Sequence, residues 1–372
     1  MSARVVNLRR QWIPVMGGSC DVRMGVNALD QSSKIFKESV GLPRVCVVIL
    51  RSSCDSDLVE LLRRQLVDAG FAVCIHTLAE EAARTIDQAH ALFEMFAREG
   101  MNADDLCCAF GDADLLSLVS YVCDRWGGGV SFVAIPEGET AFFEGALVPR
   151  ALDACGRHEM VAVSSCARRV ILDYDLFLTS YEREDNVYAR ALMVACAMAG
   201  SERDFSTLWD RAEAIARGDE GPMIDQLLET AKGRGQIVSS TAAAVRQSIG
   251  YGRTFARALE SLYPGQFPAS SLLAEGMRFA ARLSVGLEKL SVDDMLAQDE
   301  LLETLGLGTI SCDKVDSSQL VEAIHTELSM RTNRTMLLVP YAIGRVRLST
   351  IPEDLLQEHV AAWCGAHTQT DE

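Results

Sequence analysis

Short unbroken apolar runs alternate, over the first half of the chain, with longer stretches whose apolar residues recur every three or four positions. Arg44-Val-Cys-Val-Val-Ile-Leu50 is a β-branched run following Gly41-Leu-Pro43, the pattern of a buried strand. Residues 55–69 place Leu58, Leu61, Leu62, Leu66 and Val67 at helical spacing and stop at Gly70. Phe71-Ala-Val-Cys-Ile-His76 predicts the next strand, and residues 79–100 predict a long helix. Asp105-Leu-Cys-Cys-Ala-Phe110 predicts a third strand with Gly111 opening the turn after it, and residues 114–126 a helix. Val130-Ser-Phe-Val-Ala-Ile135 predicts a fourth strand before Pro136. Such alternation implies parallel strands joined by right-handed crossovers.

Beyond about residue 175 the strand pattern gives way to helical spacing. Helices are predicted over 182–199, 206–218, 223–232, 241–262, 270–290, 292–305 and 317–331, with Ser180 as a cap for the first and Gly200 at its end. The 188–199 stretch is apolar almost all round, the pattern of a core helix. Met336-Leu-Leu-Val-Pro-Tyr-Ala-Ile-Gly344 predicts a strand or buried turn, residues 354–363 a last helix, and Gln369-Thr-Asp-Glu372 a disordered tail. The expected organisation is an α/β domain over 1–175 followed by an α-helical domain over 176–372.

A length of 372 residues suits two domains. The net charge of −17 disfavours nonspecific contact with nucleic acid or an anionic membrane. No apolar run reaches the ~18 residues needed to span a bilayer, and Met1-Ser-Ala-Arg-Val-Val-Asn-Leu-Arg-Arg10 leads into no apolar core of a signal peptide. The twelve cysteines are scattered, none in Cys-x-x-Cys, and many sit in apolar runs. They read as buried free thiols, which agrees with a cytoplasmic protein.

The chemistry concentrates in a few segments. Ser248-Ile-Gly-Tyr-Gly-Arg-Thr-Phe-Ala-Arg-Ala-Leu-Glu260 resembles the Leu-Asn-x-Gly-His-Thr-x-Gly-His-Ala-x-Glu signature of 3-dehydroquinate synthases, with Arg253 and Arg257 at the two histidine positions. Glu80-Glu81-Ala-Ala-Arg84 is similar to Gly-Glu-x-x-Lys, and Gly111-Asp112-Ala113-Asp114 stands where that family has Gly-Gly-Gly-x-x-Gly-Asp. The stretch from Ile135-Pro-Glu to Glu144 and on to Val148-Pro-Arg150 is similar to the segment that carries the family's active-site aspartate and substrate-binding lysine. Arg169-Val-Ile-Leu-Asp173 matches the strand closing the first domain, and Glu182-Arg-Glu184 the opening of the second. The resemblance covers roughly residues 10–350. It implies a Rossmann-like α/β domain plus an α-helical domain, the architecture of the sugar-phosphate cyclase superfamily, and a homodimer.

The resemblance also implies a loss. Its zinc-ligand positions hold Ala191, Arg253 and Ala269, and arginine offers no lone pair to a metal. Asp112, Ala113 and Asp114 bring bulk and negative charge to the place of a dinucleotide pyrophosphate. No cofactor and no zinc are therefore expected; the alternative is a shifted loop that still binds the adenosine end of NAD, with Glu81 and Arg84 as vestigial contacts. Lys232 and Arg246 match the family's anion-binding lysine and arginine. With Arg253, Arg257 and Arg150 they make a cationic set that requires an anion, either a phosphate or carboxylate ligand or the protein's own Glu144 or Glu159. Glu144 and His158 are candidates for moving protons, although the His158-Glu159 pair also reads as part of a surface loop. His325 and Glu327 point about 200° apart on a helix and do not converge on a metal. Two functions follow. One is a metal-independent lyase, cyclase or transferase acting on an anionic metabolite in an Arg/Lys cleft. The other is a catalytically inactive pseudoenzyme serving as a binding or scaffolding partner of a pathway protein.

Overall fold

The computed structural model describes residues 8–177, 183–312 and 315–368. By its contacts the chain divides into two compact units, Met1–Ser180 and Tyr181–Glu372. Ser180, Glu182 and the Gln369–Glu372 tail, all assigned roles from sequence, lie outside the described residues.

The first unit is built on strands β1 (Arg9–Val15), β2 (Gly18–Gly25), β3 (Val45–Arg51), β4 (Ala72–Leu78), β5 (Leu106–Gly111), β6 (Ser131–Pro136), β7 (Leu152–Ala154), β8 (Arg157–Val161) and β9 (Arg169–Asp173). Its helices are α1 (Ser32–Lys37), α2 (Ser56–Asp68), α3 (Ile86–Arg98), α4 (Ala113–Arg125), the single turn α5 (Glu139–Ala141) and α6 (Tyr174–Phe177). The main sheet runs β1-β2-β9-β6-β5-β3-β4. Only β1 is antiparallel to its neighbour; β2, β9, β6, β5, β3 and β4 are parallel. A parallel sheet is covered on both faces, which is why β3 and β5 are apolar at nearly every position. Val48, Leu50, Cys108, Val133 and Ile135 pack with Leu62 and Leu66 of α2 on one face.

The structure corrects one helix boundary in this unit and adds two hairpins. The helix placed over 79–100 begins only at Ile86, because Thr85 adopts extended backbone and caps it by accepting from the Gln88 N–H at 3.1 Å. The β1–β2 hairpin was not predicted; its strands mix arginines with Trp12 and Pro14, so no period-2 pattern stands out. The small β7–β8 hairpin was missed for the same reason.

The second unit holds α7 (Glu184–Gly200), α8 (Glu202–Ala216), α9 (Glu220–Ser239), α10 (Ala243–Gln247), α11 (Arg253–Leu262), α12 (Ala269–Gly286), α13 (Val292–Thr304), α14 (Ser317–Ser329) and α15 (Glu353–His367). One hairpin, β10 (Met336–Ala342) with β11 (Arg345–Thr350), completes it. The core-helix reading of 188–199 holds, since all of Ala189–Ala199 is buried. The single helix expected over 241–262 is instead broken into α10, a 3-10 turn at Ser248–Gly250, and α11. Gly252 takes φ +82, a left-handed conformation that glycine adopts without strain.

A buried ion pair ties α15 to α12. Glu275 is fully buried, accepts from the Trp363 indole N–H at 3.0 Å, and lies 3.2 Å from His367 and 3.2 Å from Arg278. Burial works to raise the Glu275 carboxyl, but His367, Trp363 and Arg278 outweigh it and hold it below its ordinary value. Burial likewise works to lower His367, but Glu275 and the Trp363 carbonyl raise it above 6.5. A raised histidine stabilises below its unfolded value and loses that contribution as pH rises through its folded value; a depressed glutamate loses its contribution as pH falls. The pair is therefore strongest between the ordinary glutamate and histidine values, 4.5 and 6.5. The Tm gap between the parent chain and His367→Gln is expected to shrink between pH 6 and pH 8.5. A gap that stays constant over that range contradicts the assignment.

Candidate functional site

The carboxyl ends of β3, β5 and β6 carry most of the charged residues singled out in the first unit. Arg51 ends β3 and is only 8% exposed. It pairs with Asp112 at 2.9 Å and donates to the carbonyls of Ala79 (3.2 Å) and Ala82 (2.8 Å), which pins the loop holding Glu80 and Glu81. Asp112 follows β5 and caps α4, accepting from the Leu115 N–H at 2.6 Å. A cap of this kind meets the free amides and the positive end of the helix with the chain's own carboxylate.

Asp114, in the first turn of α4, is the centre of the cluster. Its Oδ1 accepts from Arg84 Nε at 3.0 Å and from Arg150 Nη1 at 3.2 Å. Arg150 is held further by Glu144, at 2.8 Å to Nε and 2.7 Å to Nη2. Glu144 sits in a π-helical segment, Phe142–Leu147, and is 1% exposed. The wide π turn brings the segment hard against α4. A Cβ at Gly145 would lie 2.9 Å from the Ala113 Cα and 2.9 Å from the Leu116 Cβ, so only glycine fits that contact. Ser117 stitches the two, donating to the carbonyls of Ala113 (2.6 Å) and Glu144 (3.1 Å) and accepting from the Arg150 backbone N–H (2.9 Å).

Arg84 also reaches Asp153 (3.7 Å) and Glu159 (3.9 Å) on the β7–β8 hairpin, yet its buried Nη1 has no hydrogen-bond partner. Burial works to raise Asp153, but the Glu159 backbone N–H, His158 and Arg84 hold it below the usual carboxylate value. His158, 80% exposed, lies 3.1 Å from Asp153. The cluster thus sets three arginines and one histidine against Asp112, Asp114, Glu144, Asp153 and Glu159.

The remaining predicted cations lie in the second unit. Lys232 on α9 pairs with Glu229 at 3.0 Å, and Arg246 on α10 donates to the carbonyls of Ser240 (2.7 Å) and Thr241 (3.0 Å). Arg257 on α11 pairs with Glu327 at 3.1 Å, which Arg331 shares at 2.8 Å. Arg253 opens α11 and is likewise not free. Ala191 is buried in α7, and Ala269 begins α12. Sequence reasoning missed Arg51 and Asp153. A lone arginine ending the apolar β3 run was the signal for the first; nothing in the sequence marked the second.

No family model matches the chain. It is 24% identical to the 3-dehydroquinate synthase of Dehalococcoides mccartyi strain CBDB1, over 92% of this chain and 95% of that one. It is 22% identical to that of Corynebacterium jeikeium strain K411, over 86% and 87%. The fold matches a 2-deoxy-scyllo-inosose synthase solved with carbaglucose-6-phosphate, NAD+ and Co2+ (TM-score 0.79, 14% identity, 95% of this chain and 99% of that chain). The chain has the dehydroquinate synthase-like fold and is similar in sequence to 3-dehydroquinate synthases. A second solved fold neighbour, the 2-epi-5-epi-valiolone synthase of Streptomyces hygroscopicus subsp. jinggangensis 5008, holds NAD+ and Zn2+ (TM-score 0.76, 14% identity, 98% and 99% covered).

These neighbours correct the expectation of no cofactor and no zinc: solved proteins with the fold of this dehydroquinate synthase-like chain hold a dinucleotide and a metal together. The side chains here do not fit either group at the places the resemblance indicates. Asp112 and Asp114 take the first turn of α4, where a pyrophosphate would meet like charge. Ala191, Arg253 and Ala269 offer no metal donor, and among the described residues no group of three or more His, Cys, Asp and Glu gathers to hold an ion.

Proposed function

We propose that this dehydroquinate synthase-like chain is a pseudoenzyme, a binding or scaffolding partner in which the anion site at the carboxyl ends of the sheet is closed by the protein's own carboxylates. The observation that carries this reading is the Arg84–Asp114–Arg150–Glu144 chain of contacts, with the buried Glu144 held on two nitrogens of Arg150. A ligand anion would have to displace a carboxylate already in charge-assisted contact and leave it buried beside a new negative charge. The test supplies the dinucleotide and metals that the fold neighbours hold, with a sugar phosphate in place of the bound carbaglucose-6-phosphate. The chain is incubated with glucose 6-phosphate, NAD+ and Zn2+ or Co2+, and the sugar phosphate is followed by mass spectrometry. It is expected to remain unconsumed; consumption that requires the chain would overturn the reading.

One observation favours the second reading, a repurposed lyase, cyclase or transferase. The buried Arg84 Nη1 lacks a hydrogen-bond partner inside the same cluster, and such a donor is expensive to leave unmade. A small anion there would answer it, with the exposed His158 beside Asp153 as a proton carrier. Native mass spectrometry of the purified chain separates the two. A small anion that co-purifies and is lost in Arg84→Ala supports repurposing, and a bare protein supports the pseudoenzyme.

A further inference from the structure

At the other end of the sheet, the amino ends of β2, β6 and β9 open on a cleft of about 700 Å³. Four residues of β6, Val133–Pro136, lie between its lining and the arginine–carboxylate cluster, a separation of ~13 Å at ~3.3 Å per residue. The cleft size falls within the ~300–1,000 Å³ of small-molecule sites.

One wall is rigid and ionised. Asp21, 1% exposed, takes Arg10 at 2.9 Å and Arg23 at 2.9 Å, with Arg169 at 3.9 Å. Burial works to raise its carboxyl, but Arg23 and Arg10 hold it below the ordinary value. Arg169 is fixed in turn by the Ile35 carbonyl (2.8 Å) and the Ser39 hydroxyl (3.2 Å). The Asp21 carboxylate is thereby committed to the arginines around it.

What is unanswered lies beside them. Arg168 lines the cleft, is exposed, and has no side-chain hydrogen bond or ion pair among the described residues. The Ser19 hydroxyl, also lining it, has none either. Ser131 and Ser165, which donate to the Ser39 and Ser120 carbonyls, still offer hydroxyl lone pairs, and Trp12, 52% exposed with Arg10 over its ring at 4.6 Å, also lines the cleft. A free guanidinium, hydroxyls and an exposed aromatic ring turned onto one cleft match a molecule with one acidic group, several hydroxyls and a saturated ring. We propose that this cleft is a binding site for a polyhydroxylated acid of monosaccharide size, with its acidic group on Arg168 and its ring against Trp12. The proposal does not depend on the function assigned to the carboxyl-end cluster.

The acid is a carboxylate or a phosphate, and the experiment has an arm for each. The full chain is titrated at constant ionic strength with D-gluconate, with D-glucose 6-phosphate and with uncharged D-glucose, by calorimetry and tryptophan fluorescence. Saturable binding of one or both acids is expected, with glucose at least tenfold weaker. Arg168→Ala is expected to weaken the acid at least tenfold, and Trp12→Phe to remove most of the fluorescence change while calorimetric binding persists. Both side chains are exposed, so the variants should unfold at the parent temperature. Absence of binding to either acid, binding indifferent to Arg168→Ala, or glucose binding as tightly as the acids would each overturn the proposal.

Discussion

Gly276→Ala is expected to destabilise the helical unit by ~3 kcal/mol or more, the upper range for forcing a methyl into a packed contact. A Cβ at Gly276 would lie 1.9 Å from the Gly252 carbonyl oxygen and 2.8 Å from its carbonyl carbon. The obstacle is backbone, so no rotamer change relieves it. Gly252 has no room to retreat. It is already left-handed at φ +82, and a Cβ there would lie 2.9 Å from the Met277 side chain and 3.0 Å from its backbone N. The start of α11 and the middle of α12 therefore meet through two glycines, and both Phe255 and Phe279, stacked 3.9 Å apart, depend on that approach. For a unit of this size ~3 kcal/mol corresponds to a Tm lower by roughly 6–12 °C. Gly265→Ala is the control. Gly265 also has a positive φ, +68, but nothing lies within 4 Å of its Cβ direction, so it should lose only the ~1 kcal/mol of backbone strain. Thermal unfolding followed by circular dichroism decides it. Equal shifts for the two variants would mean that the close approach carries no energy.

The same pair of glycines shows why part of the fold was hidden in the sequence. Gly250 and Gly252 sit inside a stretch whose apolar residues keep helical spacing from 241 to 262, and spacing alone reads through them. The break is made by α12 pressing on Gly252, a long-range contact with no local mark. The parallel strands were legible because burial on both faces leaves unbroken apolar runs, as in β3 and β5. The β1–β2 hairpin lies at the sheet edge with Trp12 exposed, and its mixed composition left no such run. At the carboxyl-end cluster, Glu144 and Arg150 came from a family resemblance, and Asp112 and Asp114 stood out as the wrong sign for a phosphate. What the sequence does not show is that these four belong together. The arginines arrive from β3, the loop before α3 and the loop after the π segment, and only the sheet order makes Arg51, Arg84 and Arg150 neighbours of α4.

That grouping sets the second large effect. Arg150→Ala is expected to cost ~3 kcal/mol, because breaking a buried ion pair from one side leaves a charge desolvated without its counterion. Glu144 is the side that suffers: it is 1% exposed and loses the guanidinium bound through two nitrogens. Glu144→Ala alone leaves Arg150 with Asp114 at 3.2 Å and partial access to water, so its cost should be smaller. The double variant removes both charges. It should be less destabilised than the sum of the singles, with a coupling of about 1–3 kcal/mol in a double-mutant cycle measured by denaturant unfolding. The size of that coupling bears directly on function. If it is large, the guanidinium is committed to the protein's own carboxylate, and an incoming anion has to displace a partner that the fold itself holds in place. If the two costs simply add, Arg150 is energetically free despite its 2.7 Å contact, the site is open to a ligand, and the pseudoenzyme reading gives way to the repurposed enzyme.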